Sequence, residues 1–240
     1  MKYLLSVTSL FLASLVFVIP GHALLFSDPY GVGSPDVIGN INQFDLRSVE
    51  LVTLDYSAPG QAEFNIRVNY NNGSLSLNPF TAAGVTLHAA DLLFRGATGY
   101  WGVALNNFNN VHGAVTVGSL YQATGFLTAQ TVLGNPSGVT YRPTEAVWFN
   151  PVGAVQQGTG SVTTTSLGGP EVNVNVKFLT SAAFLSDISG GYQILAASAT
   201  CGNDILRAAV NVPEPSSWFF LLLGLPALAW FHRFAGHQGA

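Results

Sequence analysis

Glu63-Phe64-Asn65-Ile66-Arg67-Val68-Asn69-Tyr70 and Glu171-Val172-Asn173-Val174-Asn175-Val176-Lys177-Phe178 decide the fold. In both stretches apolar and polar residues alternate with period two. Only an extended chain sends successive side chains to opposite faces, so each reads as a strand with one face buried and one wet. Asn71-Asn72-Gly73 follows the first stretch and tolerates positive φ, which predicts a hairpin into Ser74-Leu75-Ser76-Leu77. Further apolar runs predict strands at Val49 to Leu54, Val85 to Phe94, Trp101 to Leu105, Ala146 to Phe149 and Tyr192 to Ala197. Thr128 is placed to cap a short helix, Ala129 to Leu133, which Gly134 ends and Pro136 keeps from continuing. Ser181 is placed to cap another through Ala182-Ala183-Phe184-Leu185. Cys201-Gly202-Asn203-Asp204 reads as the turn before a last strand. The expectation is an all-β body, an antiparallel β-sandwich of jelly-roll-like form.

Composition narrows what such a body can do. The chain has 240 residues, 48% apolar and only 8% charged, against roughly 25% in an ordinary soluble domain. Eight Lys and Arg within a net charge of −4 leave no basic surface for nucleic acid. One cysteine, Cys201, excludes a disulfide framework within the chain and a Cys-based structural zinc site. The polar surface must therefore come from Asn, Gln, Ser and Thr, as suits a hydrated polysaccharide environment. Without a repeat or a long linker, Leu24 to Asn211 reads as one domain (24–211) between two apolar ends.

The first end (1–23) opens with Lys2 and runs apolar from Leu4 to Ile19 before Pro20 and Gly21 stop it. Gly21-His22-Ala23 places small residues where signal peptidase needs them, predicting a signal helix cleaved between Ala23 and Leu24. The competing reading is an uncleaved anchor. The second end (212–240) begins Val212-Pro213-Glu214-Pro215-Ser216-Ser217, continues as an apolar segment from Trp218 to Phe231, and closes with a short tail, 232–240. The two prolines favour an extended, accessible peptide before that segment. At about 1.5 Å per residue a helix from Trp218 to Phe231 spans roughly 21 Å, short of a ~30 Å hydrocarbon core. It reads as a short transmembrane helix with Trp218 and Trp230 at the interfaces and Arg233 holding the cytoplasmic side. A buried core helix is the alternative.

Val212-Pro213-Glu214-Pro215, the apolar segment and the arginine after it resemble the PEP-CTERM sorting signal of Gram-negative bacteria, whose members also carry a signal peptide. The resemblance implies recognition by exosortase, a membrane-embedded cysteine protease, with signal peptidase as the other partner in export. It implies a transient membrane anchor, cleavage near Pro213-Glu214-Pro215, and delivery to the cell envelope, outer surface or extracellular matrix, often alongside exopolysaccharide. Family members usually end in several arginines, whereas here Arg233 stands alone. Tyr100-Trp101-Gly102-Val103-Ala104-Leu105 and Ala199-Thr200-Cys201-Gly202-Asn203-Asp204-Ile205 also resemble strand-rich ectodomains that precede this signal.

Catalytic patterns are sparse. Gly-x-Ser-x-Gly is absent, since Gly134-Asn135-Pro136-Ser137-Gly138 has other spacing, and the body offers only His88 and His112 as bases. His88 reads as a structural histidine in an apolar run and His112 as a loop residue. Glu50, Asp55, Asp91 and Glu145 are candidate carboxylates for glycoside hydrolysis, though sequence cannot pair them. Asp28, Asp36, Asn40, Asn42 and Asp45, with Asn203 and Asp204 apart from them, offer oxygens to calcium but lack the Asp-x-Asp-x-Asp-Gly spacing. Asx turns are their other reading. Tyr100, Trp101, Tyr121, Tyr141 and Trp148 would stack on sugars if exposed together, and otherwise form core. Cys201 reads as a buried small apolar residue or a free thiol. Asn72-Gly73-Ser74 matches a glycosylation acceptor but suffices as a turn. The expected function is a non-enzymatic structural or adhesive surface protein without a cofactor, calcium being the one candidate. A carbohydrate-binding module and a secreted hydrolase are the alternatives.

Overall fold

The computed structural model describes residues 23–28, 37–56, 58–69, 77, 79–106 and 114–211. Among these the chain forms β1 (Leu24–Ser27), α1 (Ile41–Phe44), β2 (Leu46–Leu54), β3 (Gln61–Asn69), β4 (Phe80–Ala82), β5 (Val85–Leu87), β6 (Leu92–Arg95) and β7 (Tyr100–Val103). There follow β8 (Leu120–Ala123), β9 (Phe126–Thr128), α2 (Ala129–Leu133), β10 (Ala146–Phe149), β11 (Val155–Gly158), β12 (Gly160–Gly168), β13 (Glu171–Leu179), α3 (Ala182–Ile188), β14 (Tyr192–Ala197) and β15 (Ile205–Val210). The all-β expectation holds for these residues: the strands pair antiparallel and the helices are short. The leader through His22, Asp36, the Asn71-Asn72-Gly73 turn, His112 and the whole segment 212–240 lie outside the described residues.

Two larger sheets carry the body: a five-stranded one ordered β1-β2-β3-β13-β12 and a six-stranded one ordered β11-β8-β7-β6-β14-β15. The pairs β9–β10 and β4–β5 stand apart. The two alternating stretches of sequence are β3 and β13, and they are neighbours. Val172, Val174 and Val176 oppose Val68, Ile66 and Phe64 on the inner face; Asn173, Asn175 and Lys177 oppose Arg67, Asn65 and Glu63 on the outer one. A slip of one residue would exchange the faces, so the buried valines hold the register.

The inner face meets the six-stranded sheet in a shared aromatic core. Phe64 lies 5.2 Å from Phe94 and 6.0 Å from Phe178, while Phe184 of α3 sits edge-on 5.5 Å from Phe94. Ser181 caps α3 by accepting from the Phe184 N–H, as its position predicts, and the helix runs three residues further, to Ile188. The Thr128 cap, Ala129–Leu133 and a left-handed Gly134 (φ 71°) also match the sequence expectation.

One sequence expectation is corrected. Val85 to Phe94 is not one strand, because His88-Ala89-Ala90-Asp91 interrupts it between β5 and β6. The Asp91 carboxylate accepts from the N–H groups of Leu105 (3.1 Å) and Phe149 (3.3 Å), which draws this buried segment out of any ladder. Beyond it, β6 and β7 are covered on both faces. Leu92, Phe94, Trp101 and Val103 face the shared core, and Leu93 joins Tyr121 and Phe149 in a second cluster. Gly102 belongs there by necessity, since a Cβ would overlap the Phe149 ring.

Candidate functional site

The connection from β14 to β15, Ser198 to Asp204, is buried along its length, although it is a turn. Loops ordinarily stay at the surface because their backbone polar groups need partners. Here neighbouring segments supply them. Thr200 N–H donates to the His88 carbonyl (2.9 Å), Ile38 N–H to that of Asn203 (3.0 Å) and Arg142 N–H to that of Cys201 (3.2 Å). Gly202 takes the left-handed conformation (φ 59°) that the turn requires. Burial pushes the Cys201 thiol up to about 11, so it stays protonated and behaves as a small apolar side chain.

At the end of this loop three of the four aspartates singled out as cation ligands converge. Carboxylate oxygens of Asp28, Asp45 and Asp204 lie within 4.8 Å of one another, from three separate parts of the chain. They are hard oxygen ligands of the kind calcium takes, though fewer than its usual six to eight. Protein donors also serve them: Leu46 N–H donates to Asp204 Oδ2 (2.6 Å) and Arg47 Nε to Asp45 Oδ2 (3.2 Å). What the geometry displays is a fastening of β2 to the turn before β15.

Arg47 connects this knot to the outer face of the five-stranded sheet. Its Nη1 reaches Glu171 Oε2 (2.9 Å), and Arg67 Nε reaches the other Glu171 oxygen (3.1 Å). Beside them opens a polar hollow of about 310 Å³ lined by Leu25, Ser27, Arg47, Ser48, Glu50, Asn65, Arg67 and Asn173. Across the strands the outer residues form rows: Thr165, Asn173, Arg67 and Ser48, then Thr163, Asn175, Asn65 and Glu50. Strands about 4.8 Å apart make this a regular array of hydroxyl and amide groups, with the Arg67 guanidinium and the Glu50 carboxylate among them. Asn65 Nδ2 donates to Glu50 (3.3 Å), and Asn173 Nδ2 to Asn175 Oδ1 (3.0 Å).

The remaining candidates fall elsewhere. His88 is half-buried, its backbone N–H donating to Thr200 Oγ1 (3.1 Å) and its ring 5.9 Å from that of Trp148; burial lowers its pKa and so favours the neutral imidazole. Asp91 is bound to main chain in the core, and Glu145 pairs with Arg207. Asp55 lies against Gly60 in the turn between β2 and β3. Trp101, Tyr121 and Trp148 are buried core residues, so they form no exposed stacking row; Tyr100 and Tyr141 are half-buried. Ala23 is exposed and Leu24 opens β1.

Sequence reading missed the Arg47–Glu171–Arg67 bridge, whose members lie up to 124 residues apart. It also missed Asp187, which accepts from Trp101 Nε1 (2.8 Å), the Thr98 hydroxyl (2.7 Å) and the N–H groups of Thr98 (2.8 Å) and Gly99 (3.1 Å). Burial acts to raise the Asp187 pKa, but these donors outweigh it and hold the carboxyl below its ordinary value.

The chain matches no family model, no curated protein and no solved structure. No helix among the described residues is long and apolar enough to cross a membrane.

Proposed function

We propose that this chain is an exported protein, addressed to the cell surface or extracellular matrix by a PEP-CTERM-type tail and acting there in a structural or adhesive, non-enzymatic role beside exopolysaccharide. The body is read as one jelly-roll-like β-sandwich, an interpretation supported by the aromatic core that the two larger sheets share. The single observation that carries the reading is a junction. β15, an edge strand, ends at Val210, and Val212-Pro213-Glu214-Pro215 begins two residues later. A protease cutting at that motif would sever no ladder formed among the described residues. The other junction supports the same reading: cleavage between Ala23 and Leu24 would leave the whole of β1 on the mature protein. Signal peptidase and exosortase are the processing partners, and Trp218, Trp230 and Arg233 hold the tail in the membrane until it is cut.

A carbohydrate-binding role is the second reading, and the outer face favours it in an altered form. The stacking aromatics are mostly buried, whereas Arg47, Ser48, Glu50, Asn65, Arg67 and Asn173 surround an open polar hollow. Such a surface would bind a hydroxyl-rich chain through hydrogen bonds, without ring stacking.

Deleting Pro213-Glu214-Pro215 and fractionating the producing cells tests the sorting role. The intact protein is expected at the surface or in the matrix, shortened by its tail, and the deletion variant is expected to remain in the membrane fraction with the tail attached. Unchanged location and size would remove the claim.

A further inference from the structure

The knot of carboxylates at the start of β2 gathers more charge than its surroundings answer. Asp45 and Asp204 are buried, Asp28 is half-buried, and oxygens of all three lie within 4.8 Å of one another. Burying a charge is costly unless an opposite charge meets it. Arg47 brings a positive charge to Asp45 but divides it with Glu171. A fourth oxygen points into the same space. On β14 and β15 Ile194, Ala196, Leu206 and Ala208 face the shared core, with Ala196 opposite Leu206 and Ile194 opposite Ala208. The pairing runs on past both strands, since Ser198 N–H donates to the Asp204 carbonyl (3.0 Å). Those two residues therefore stand opposite each other, and period two turns both side chains inward. The Leu46 N–H, on β2 of the other sheet, meets Asp204 Oδ2 in that direction (2.6 Å). Ser198 is wholly buried, yet its Oγ has no hydrogen-bond partner, not even the carboxylate across from it.

We propose that Asp28, Asp45, Asp204 and the Ser198 hydroxyl form a calcium site between the two larger sheets. The site goes beyond the sorting reading and stands without it. Calcium takes oxygens at about 2.3–2.6 Å, so ligands on opposite sides of one ion lie about 4.6–5.2 Å apart and others closer. Carboxylate oxygens within 4.8 Å of one another can therefore share one ion. An ionised carboxylate has about four lone-pair sites, so accepting from Leu46 or Arg47 does not exhaust Asp204 or Asp45. The ion would neutralise the carboxylates and give Ser198 Oγ the partner it lacks. An all-oxygen set without histidine or cysteine suits a hard cation, and ligands drawn from distant parts of the chain suit calcium's tolerant geometry better than magnesium's strict octahedron. Water and second carboxylate oxygens would complete the shell. Asp28 follows β1, Asp45 precedes β2, and Ser198 and Asp204 flank the turn between β14 and β15. One ion would thus tie the two sheets together at this end. It would also fasten β1, an edge strand of four residues whose Leu24 and Leu25 are exposed.

The test uses the full chain in detergent, stripped with a chelator and titrated calorimetrically with calcium chloride. Far-ultraviolet circular dichroism follows its fold and its thermal unfolding midpoint. One calcium ion per chain is expected, with a higher midpoint in its presence, because an ion that binds only the folded chain stabilises it. Magnesium chloride at the same concentration is expected to raise the midpoint less. Asp45→Asn and Ser198→Ala are each expected to weaken calcium binding by about tenfold or more, the loss that follows even when a supporting residue of a metal site is removed. Glu63→Gln, on the wet outer face, is expected to leave the affinity unchanged. No binding at about 5 mM calcium, above the range of weak extracellular sites, overturns the proposal. So does an affinity that either Asp45→Asn or Ser198→Ala leaves unchanged, or an equal effect of magnesium. Should Asp45→Asn fail to fold, Ser198→Ala decides, because it removes a single oxygen that bonds nothing else in the protein.

Discussion

The five-stranded and six-stranded sheets share one core but present different second faces. In the five-stranded sheet β13 alternates cleanly, Val172, Val174, Val176 and Phe178 inward, Asn173, Asn175 and Lys177 outward, because water bathes its other side. In the six-stranded sheet Leu92, Leu93 and Phe94 are all buried, since β9 and β10 cover the far face with Phe149 stacked on Tyr121 at 5.0 Å. The lesson is that one sheet is a wall with a wet surface, whereas the middle strands of the other, β6 and β7, form an internal layer. Among the described residues the six-stranded sheet is open on that side toward β14 and β15, where Gln193, Arg207 and Ala209 are exposed.

The contrast can be broken by substitution. Phe94→Ala strikes the residue where both sheets and α3 meet, and is expected to cost about 3–5 kcal/mol in urea unfolding. Leu93→Ala is the sharper trial, since it lies on the covered second face. A loss of about 2–5 kcal/mol is expected, and a surface-sized effect would show that this face is not truly sealed.

Asp187→Asn is expected to give a smaller, pH-dependent loss. The folded pKa of Asp187 is held below its unfolded value near 3.9. Its contribution is therefore present above that value and disappears as pH falls through the folded pKa. Unfolding curves at pH 7 and pH 3 should show the unaltered chain's margin over Asp187→Asn narrowing in acid. A margin that widens in acid would contradict the assignment. Asn175→Ala, in the middle of the wet face, should change stability by no more than about 0.5 kcal/mol. A larger loss would mean that the outer rows are structural.

The same contrast explains what could be read from sequence. β3 and β13 were legible because a solvated face imposes period two, and α2 was legible because Thr128 and Gly134 mark its ends with local chemistry. The break at His88 to Asp91 was not, because a strand covered on both sides and a buried crossing are equally apolar. Three of the four aspartates named as cation ligands do meet, yet nothing in their spacing foretold that Asp204 would arrive from the other sheet to bind the Leu46 N–H. Nor could Glu171 be matched to Arg47 and Arg67 beforehand, since that bridge depends on which strands become neighbours.

The most direct measurement is the intact mass of the protein recovered from cells that produce it. A species beginning at Leu24 and ending within or beside Val212 to Ser217, with or without a group attached to its new carboxyl end, is the expected result. A single species at the full 25.3 kDa, carrying both apolar ends, would contradict the reading of those ends as removable addresses.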